Sequence, residues 1–208
     1  METLTILVAG LVGWHGLRLY YQRAHIALLA QHLSGLRLEQ HMKTLTEGYT
    51  RAIHEQDETR QLQIFHTFFE TERAVAEEAE TLARTMQKES VKATRMGVLS
   101  LCVPYLGRLF PSLTRDFRDL LHIHAAGLRH VVENVDELDA KDRAYHLSAE
   151  LFLFQHSCHW FCKSRSLADA RLAVRHQVQY QQALDAVSSV TRDAYMRWLQ
   201  GQPAQRIL

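Results

Sequence analysis

The chain has 208 residues, of which 47% are hydrophobic and 23% charged, close to the globular average. That supports a real core in one domain, or one domain with an appendage. With a net charge of +1, it lacks the basic excess by which a generic nucleic-acid binder neutralises phosphates. There are 9 Gly, 3 Pro and a single Asn, Asn134. Sheets of this size need many tight turns, which draw on those residues, so the scarcity argues against a β fold. Three cysteines, Cys102, Cys158 and Cys162, do not make a disulfide framework and read as reduced thiols. The expected class is all-α: about five to six long helices in a bundle.

The first element is apolar. Leu4 to Leu17 reads LTILVAGLVGWHGL. A spanning helix needs about 20 apolar residues, and counting on to Tyr21 reaches that length only by including His15 and Arg18. Trp14, Tyr20 and Tyr21 suit a membrane interface. Leu4, Ile6, Leu7, Val8, Leu11, Val12, Trp14 and Arg18 are the candidate lipid-facing residues. Glu2 precedes the segment, and Arg18 and Arg23 follow it. A cleaved signal peptide is not expected, because no Lys or Arg precedes Arg18. The positive-inside bias would leave the following bulk in the cytoplasm. The competing reading is a helix buried in a soluble cytoplasmic protein. Residues 1–33 are accordingly set apart as an apolar N-terminal helix, and 34–208 as the bundle domain.

No proline lies between Arg18 and Met96, and Gly35 and Gly48 are the expected breaks. Helices are predicted over 3–33, 36–55 and 57–95. In the last, Leu62, Phe65, Phe69, Ala76, Ala79, Ala83 and Met86 recur at three and four, a heptad-like stripe. Its early turns are acidic and its late turns basic, as a helix dipole favours. The late ridge Arg84, Lys88, Lys92 and Arg95 is a candidate for phosphates of lipid headgroups or nucleic acid. Residues 96–111, MGVLSLCVPYLGRLFP, are apolar and broken by two prolines and two glycines. They read as a kinked connector, or as a second membrane-touching segment beside the N-terminus.

Ser112 is the expected cap of a helix to about Asn134, and Asp139 of one near 140–163. Ser166 with Asp169 approximates a capping box for a last helix near 167–199. The tail after Gly201 is short and polar.

Four constellations bear on chemistry. His66/Glu70 and His146/Glu150 each put an imidazole and a carboxylate on one helix face. Two such helices facing each other would suit iron, manganese or zinc. Cys158 and Cys162 with His156 and His159 offer soft ligands for zinc or haem, but helical phase puts Cys158 in the apolar stripe and the histidines elsewhere. His122, His124 and His130 lack clean ligand spacing. No glycine-rich phosphate loop, G-x-S-x-G or H-E-x-x-H occurs.

The leading expectation is a non-enzymatic, membrane-associated scaffold or adaptor that recognises protein partners, a membrane complex among them, through helix faces. Leu62, Phe65, Phe69, Tyr195 and Trp198 are the candidate partner-binding residues; a second copy of the chain is another partner such faces admit. The alternative is a metal- or haem-binding bundle using His66, Glu70, His146 and Glu150, with redox or oxygen-linked chemistry.

Overall fold

A computed structural model describes residues 1–202. Among them it has eleven α-helices and one two-stranded antiparallel ribbon. The helices are α1 (Glu2–Leu33), α2 (Leu38–Ile53), α3 (Glu58–Thr67), α4 (Phe69–Met86), α5 (Val91–Thr94), α6 (Leu106–Leu109), α7 (Phe117–Val132), α8 (Ala140–Cys162), α9 (Arg165–His176), α10 (Tyr180–Ala186) and α11 (Ser189–Gln200). Strands β1 (Arg95–Gly97) and β2 (Thr114–Asp116) pair Met96 with Arg115. The all-α expectation is correct. Of the polar tail, residues 203–208, Pro203 among them, lie outside the described region.

Helix α8 is the centre. It packs on α7, α9, α10, α2, α1 and α3, while α4 packs on α7 and α2. It starts where its sequence says, because Asp139 accepts from the Lys141 and Asp142 amides. Leu147, Leu151, Leu153, Phe154 and Phe161 are all buried along it.

Three predicted long helices are shorter than expected. The segment 57–95 breaks at Phe68, whose ring lies over the bare Cα of Gly48 and stacks edge-on to Tyr49 at 5.6 Å. Any Cβ at position 48 would overlap that ring. Thr67 also takes the Ile64 carbonyl at 2.6 Å. A second break follows Met86, where Ser90 turns extended and caps α5. The Arg84–Arg95 ridge is therefore not one helix face.

The helix expected to be capped by Ser112 starts four residues later. Residues 114–116 are drawn into β2, and Asp116 caps α7 by accepting from the Arg118 amide at 2.9 Å. The last helix is three. Gln177 is left-handed (φ 57°) and ends α9. At Ser188 both the amide and the hydroxyl donate to Glu150 Oε1, at 3.1 and 2.8 Å, so that amide cannot continue a helix. Ser164, not Ser166, caps α9; Ser166 donates instead to the Ser100 carbonyl and Asp169 faces His156.

Two tryptophans hold the ribbon on the bundle. Trp160 Nε1 donates to the Gly97 carbonyl at 3.0 Å and Trp198 Nε1 to the Asp116 carbonyl at 2.9 Å. Arg115 reaches back to cap the carboxyl end of α11, donating to the Trp198 and Leu199 carbonyls. Gly201, at φ +77°, closes that helix where a side chain would meet the guanidinium. These bonds present the 98–113 connector at one end of the molecule, beside α1.

Candidate functional site: an uncovered apolar helix and the basic cavity at its root

Only the second half of α1 belongs to the bundle. Gln22, His25 and Leu29 are its buried residues. Gln22 Nε2 donates to the Lys163 carbonyl at 3.2 Å, and His25 stacks on Phe161 at 4.3 Å with Nδ1 2.9 Å from the Phe161 carbonyl. Burial holds the His25 imidazole below its ordinary pKa, against the opposing pull of that carbonyl. Packing of α1 on the bundle thus begins near Arg18.

Every residue from 1 to 17 is exposed. Leu4, Ile6, Leu7, Val8, Leu11 and Val12 keep between 51% and 70% of their surface open, and Trp14 keeps 45%. Arg18 is half-buried. Leu4, Leu7, Val8, Leu11, Val12 and Trp14 share one broad face, and Ile6, Ala9, Leu17 and the three glycines fill the other; outside the helix itself, no described atom lies within 4 Å of where a Cβ would stand at Gly10, Gly13 or Gly16. The N-terminal segment is therefore not core. Among the described residues, no helix is long and apolar enough to cross a membrane.

At the root of this helix the connector folds against Tyr21. The Tyr21 hydroxyl donates to the Arg95 carbonyl at 3.1 Å, and the Tyr105 ring meets the Tyr21 ring edge-on at 5.5 Å. Tyr105 is left-handed (φ 56°), and the Arg108 guanidinium lies 5.0 Å above its ring. Between them is a cavity of about 330 Å³, lined by Tyr21, Lys92, Arg95, Tyr105, Leu106 and Arg108 among others. Burial, with Cys102 and Tyr105 adding to it, raises the Tyr21 phenol to about 12, so it stays a donor. Leu99, Leu101, Leu109 and Phe110 of the connector are exposed nearby in sequence.

The candidate partner residues separate into two groups. Phe65, Tyr195 and Trp198 are buried at 3%, 0% and 4% exposure, and cannot form a surface. Trp198 packs on Trp160 and Tyr195. Leu62 and Phe69 are about half exposed and remain open on α3 and α4.

The candidate metal ligands do not converge. His66 and Glu70 are exposed, His146 is half-buried and Glu150 fully buried. Among the described residues, no group of three or more His, Cys, Asp or Glu could hold a metal ion. Glu150 instead organises an internal polar cluster. Its Oε1 accepts twice from Ser188, and Oε2 has no donor aligned on it. Burial raises its carboxyl to about 7, partly offset by the Thr191 and Ser188 hydrogen bonds. A second cluster joins His124 Nε2 to Ser157 Oγ at 2.8 Å, while Ser157 donates to the Leu153 carbonyl. Ser157 therefore accepts from His124, which fixes the Nε2–H tautomer. His156 meets Asp169 at 2.7 Å and His130 meets Asp136 at 2.9 Å. Glu150, Ser157 and His124 are at 0% exposure, and their bonds join α7 to α8 and α8 to the start of α11 inside the core. Burial pushes the Cys158 and Cys162 thiols up, Cys162 to about 11, so neither is a ready thiolate.

Gly127 marks where α7, α8 and α11 meet. A Cβ there would overlap Thr191 Oγ1 and stand 2.8 Å from Glu150 Oε2. Gly→Ala inside a helix ordinarily stabilises by about 1 kcal/mol. Here the sign should reverse: Gly127→Ala is expected to cost about 2 kcal/mol through overpacking. Urea unfolding checks this, and a gain in stability would sink it.

Sequence reasoning named Tyr21 as an interfacial aromatic and Lys92 and Arg95 as candidate phosphate ligands, but missed Tyr105 and Arg108 and did not bring the five together at the root of α1. The signal was three cations and two tyrosines flanking two apolar segments; nothing in their spacing placed them together. Comparison with protein-family models, with curated proteins and with solved structures gave no match.

Proposed function

We propose that this chain is a helical-bundle scaffold or adaptor seated on a membrane by the free end of α1, with its bulk on the cytoplasmic side. The carrying observation is that residues 1–17 are helical, apolar on every side and uncovered. A helix seam for one partner would need only a stripe, whereas an all-round apolar helix needs an apolar surround. Burying its six aliphatic side chains, Leu4, Ile6, Leu7, Val8, Leu11 and Val12, is worth on the order of 10 kcal/mol at about 1.5–3 kcal/mol each. At 1.5 Å per residue the free end is about 25 Å long, short of the roughly 30 Å hydrocarbon core. It therefore enters the bilayer from one face, and Arg18, Arg23 and the aromatic residues mark the interface. Leu62 and Phe69 are the exposed anchors through which the bundle meets a protein partner.

The test compares the full chain with one beginning at Arg18, using vesicle flotation and thermal unfolding. The full chain should float with vesicles, resist salt and carbonate, and require detergent. The shorter chain should stay soluble with an unchanged melting temperature, since no residue before it is buried. A full chain that remains monomeric in buffer and ignores vesicles would overturn the reading. So would a discrete lipid-independent dimer, because a second copy would then be what covers α1. Cutting at Ser34 instead should unfold the protein, because Gln22, His25 and Leu29 leave with α1.

A further inference from the structure

The cavity between α1, α5, β1 and the connector has a composition unlike the rest of the surface. No carboxylate lines it, but three cations do: Lys92, Arg95 and Arg108. Among the described residues none of the three has an ion-pair partner, although His, Lys and Arg side chains elsewhere form ten such contacts. The remaining lining is largely apolar and aromatic, with Leu106, Tyr21 and Tyr105 foremost. Its volume of about 330 Å³ falls in the range of small-molecule sites.

The local backbone keeps this space open. Arg95 is fixed in β1, with its carbonyl held by Tyr21. Its side chain crosses Gly107 so closely that a Cβ there would stand 2.6 Å from Arg95 Cδ. Arg108 is held over Tyr105. The guanidinium groups are thus presented by fixed supports rather than by free tails.

We propose that this cavity binds an anionic amphiphile carrying a phosphate. The phosphate would sit among Lys92, Arg95 and Arg108, with its first carbons against Leu106 and the two tyrosine rings. Guanidinium pairs phosphate with two parallel donors, and the cavity lies at the foot of the helix assigned to the bilayer, where lipid phosphates are found. The proposal rests on the membrane reading and names the lipid class that accompanies it.

The test titrates full-length protein with dioctanoyl phosphatidylglycerol below its micellar concentration, by calorimetry. Dioctanoyl phosphatidylcholine and inorganic phosphate serve as comparison probes. Saturable one-to-one binding of the phosphatidylglycerol is expected, at least tenfold tighter than either comparison. Arg95→Gln and the exposed Arg108→Gln should each weaken it tenfold or more with unchanged melting temperature. Arg84→Gln and Lys88→Gln, whose residues do not line the cavity, should leave it alone. Equal weakening by all four would reduce the effect to diffuse attraction and overturn the site. Inorganic phosphate binding as tightly as the lipid would overturn the amphiphile, and absence of saturable binding would overturn both. Flotation on purely phosphatidylcholine vesicles reads α1 alone. Flotation without the titration signal fails the cavity and leaves the anchor; the signal without flotation does the reverse.

Discussion

Replacing Arg143 with methionine should destabilise the bundle by about 3–5 kcal/mol. Glu72 on α4 is 2% exposed, and two groups answer its charge. The Tyr49 hydroxyl of α2 donates to Oε1, and Arg143 Nη2 of α8 lies 2.9 Å from Oε2. The arginine contact is an ion pair without hydrogen-bond alignment, so its contribution is mostly Coulombic. Burial and the neighbouring carboxylate together hold the Tyr49 phenol far above its ordinary pKa, which leaves it as a permanent donor. Removing the guanidinium strands a buried carboxylate with one partner, and stranded buried charges cost about that much. Methionine preserves the packing of the stem, so the loss reads the charge. Chemical unfolding of Arg143→Met, Glu72→Gln and the double variant checks it. Glu72→Gln in the Arg143→Met background should recover at least half the loss. Additive single effects would show that the two residues do not depend on each other.

The second large effect is on the pH dependence of stability, where two fully buried groups work in opposite directions. Burial, with His156 adding to it, lowers His124 from 6.5 to about 3. Its unfolded form takes up a proton below about 6.5 while the folded form does not, so stability falls as pH falls from 6.5 toward 3. Across that window His124 alone is worth on the order of 5 kcal/mol. His159, lowered to about 4 by burial and the nearby Arg171 and Arg175, adds to the same acid limb. His156 and His25, lowered chiefly by burial, act in the same direction.

Glu150 has the other sign. Its folded carboxyl is raised from 4.5 to about 7, so its folded state is favoured at low pH and loses stability as pH rises through that interval. The full loss, on the order of 3 kcal/mol, is reached above pH 7. The two slopes oppose each other between about 4.5 and 6.5, and below that the histidines dominate. Glu150→Gln should therefore be more favourable at pH 8 than at pH 4 by about 3 kcal/mol, measured against the natural chain in urea. An identical difference at both values would mean the carboxyl ionises in the core without penalty.

Much of the fold was legible because local chemistry decides it. The scarcity of Gly, Pro and above all Asn gave the helical class, and Asp139 set the start of α8. The breaks at Phe68, Gln177 and Ser188 were not legible, because neither Gly nor Pro marks them. Each depends on a distant group: Gly48 admits the Phe68 ring, and Glu150 holds Ser188. Periodicity likewise identified the face carrying Phe65, but a stripe looks the same whether the chain covers it or a partner does. Glu150 stood out as a candidate ligand because it lies one helical turn from His146; its buried partners are instead the amide and hydroxyl of Ser188. For α1, composition declared an apolar segment, and only the packing showed that its first half has nothing against it.

The position of α8 has a consequence in time. This helix, residues Ala140–Cys162, is the element against which α1, α2 and α3 all rest. During synthesis at about 5–20 residues per second, residues 1–17 leave the ribosome roughly 10–30 s before α8 is complete. For that interval the apolar end exists without the body that later orients it, at the stage when a nascent segment is most open to capture or aggregation.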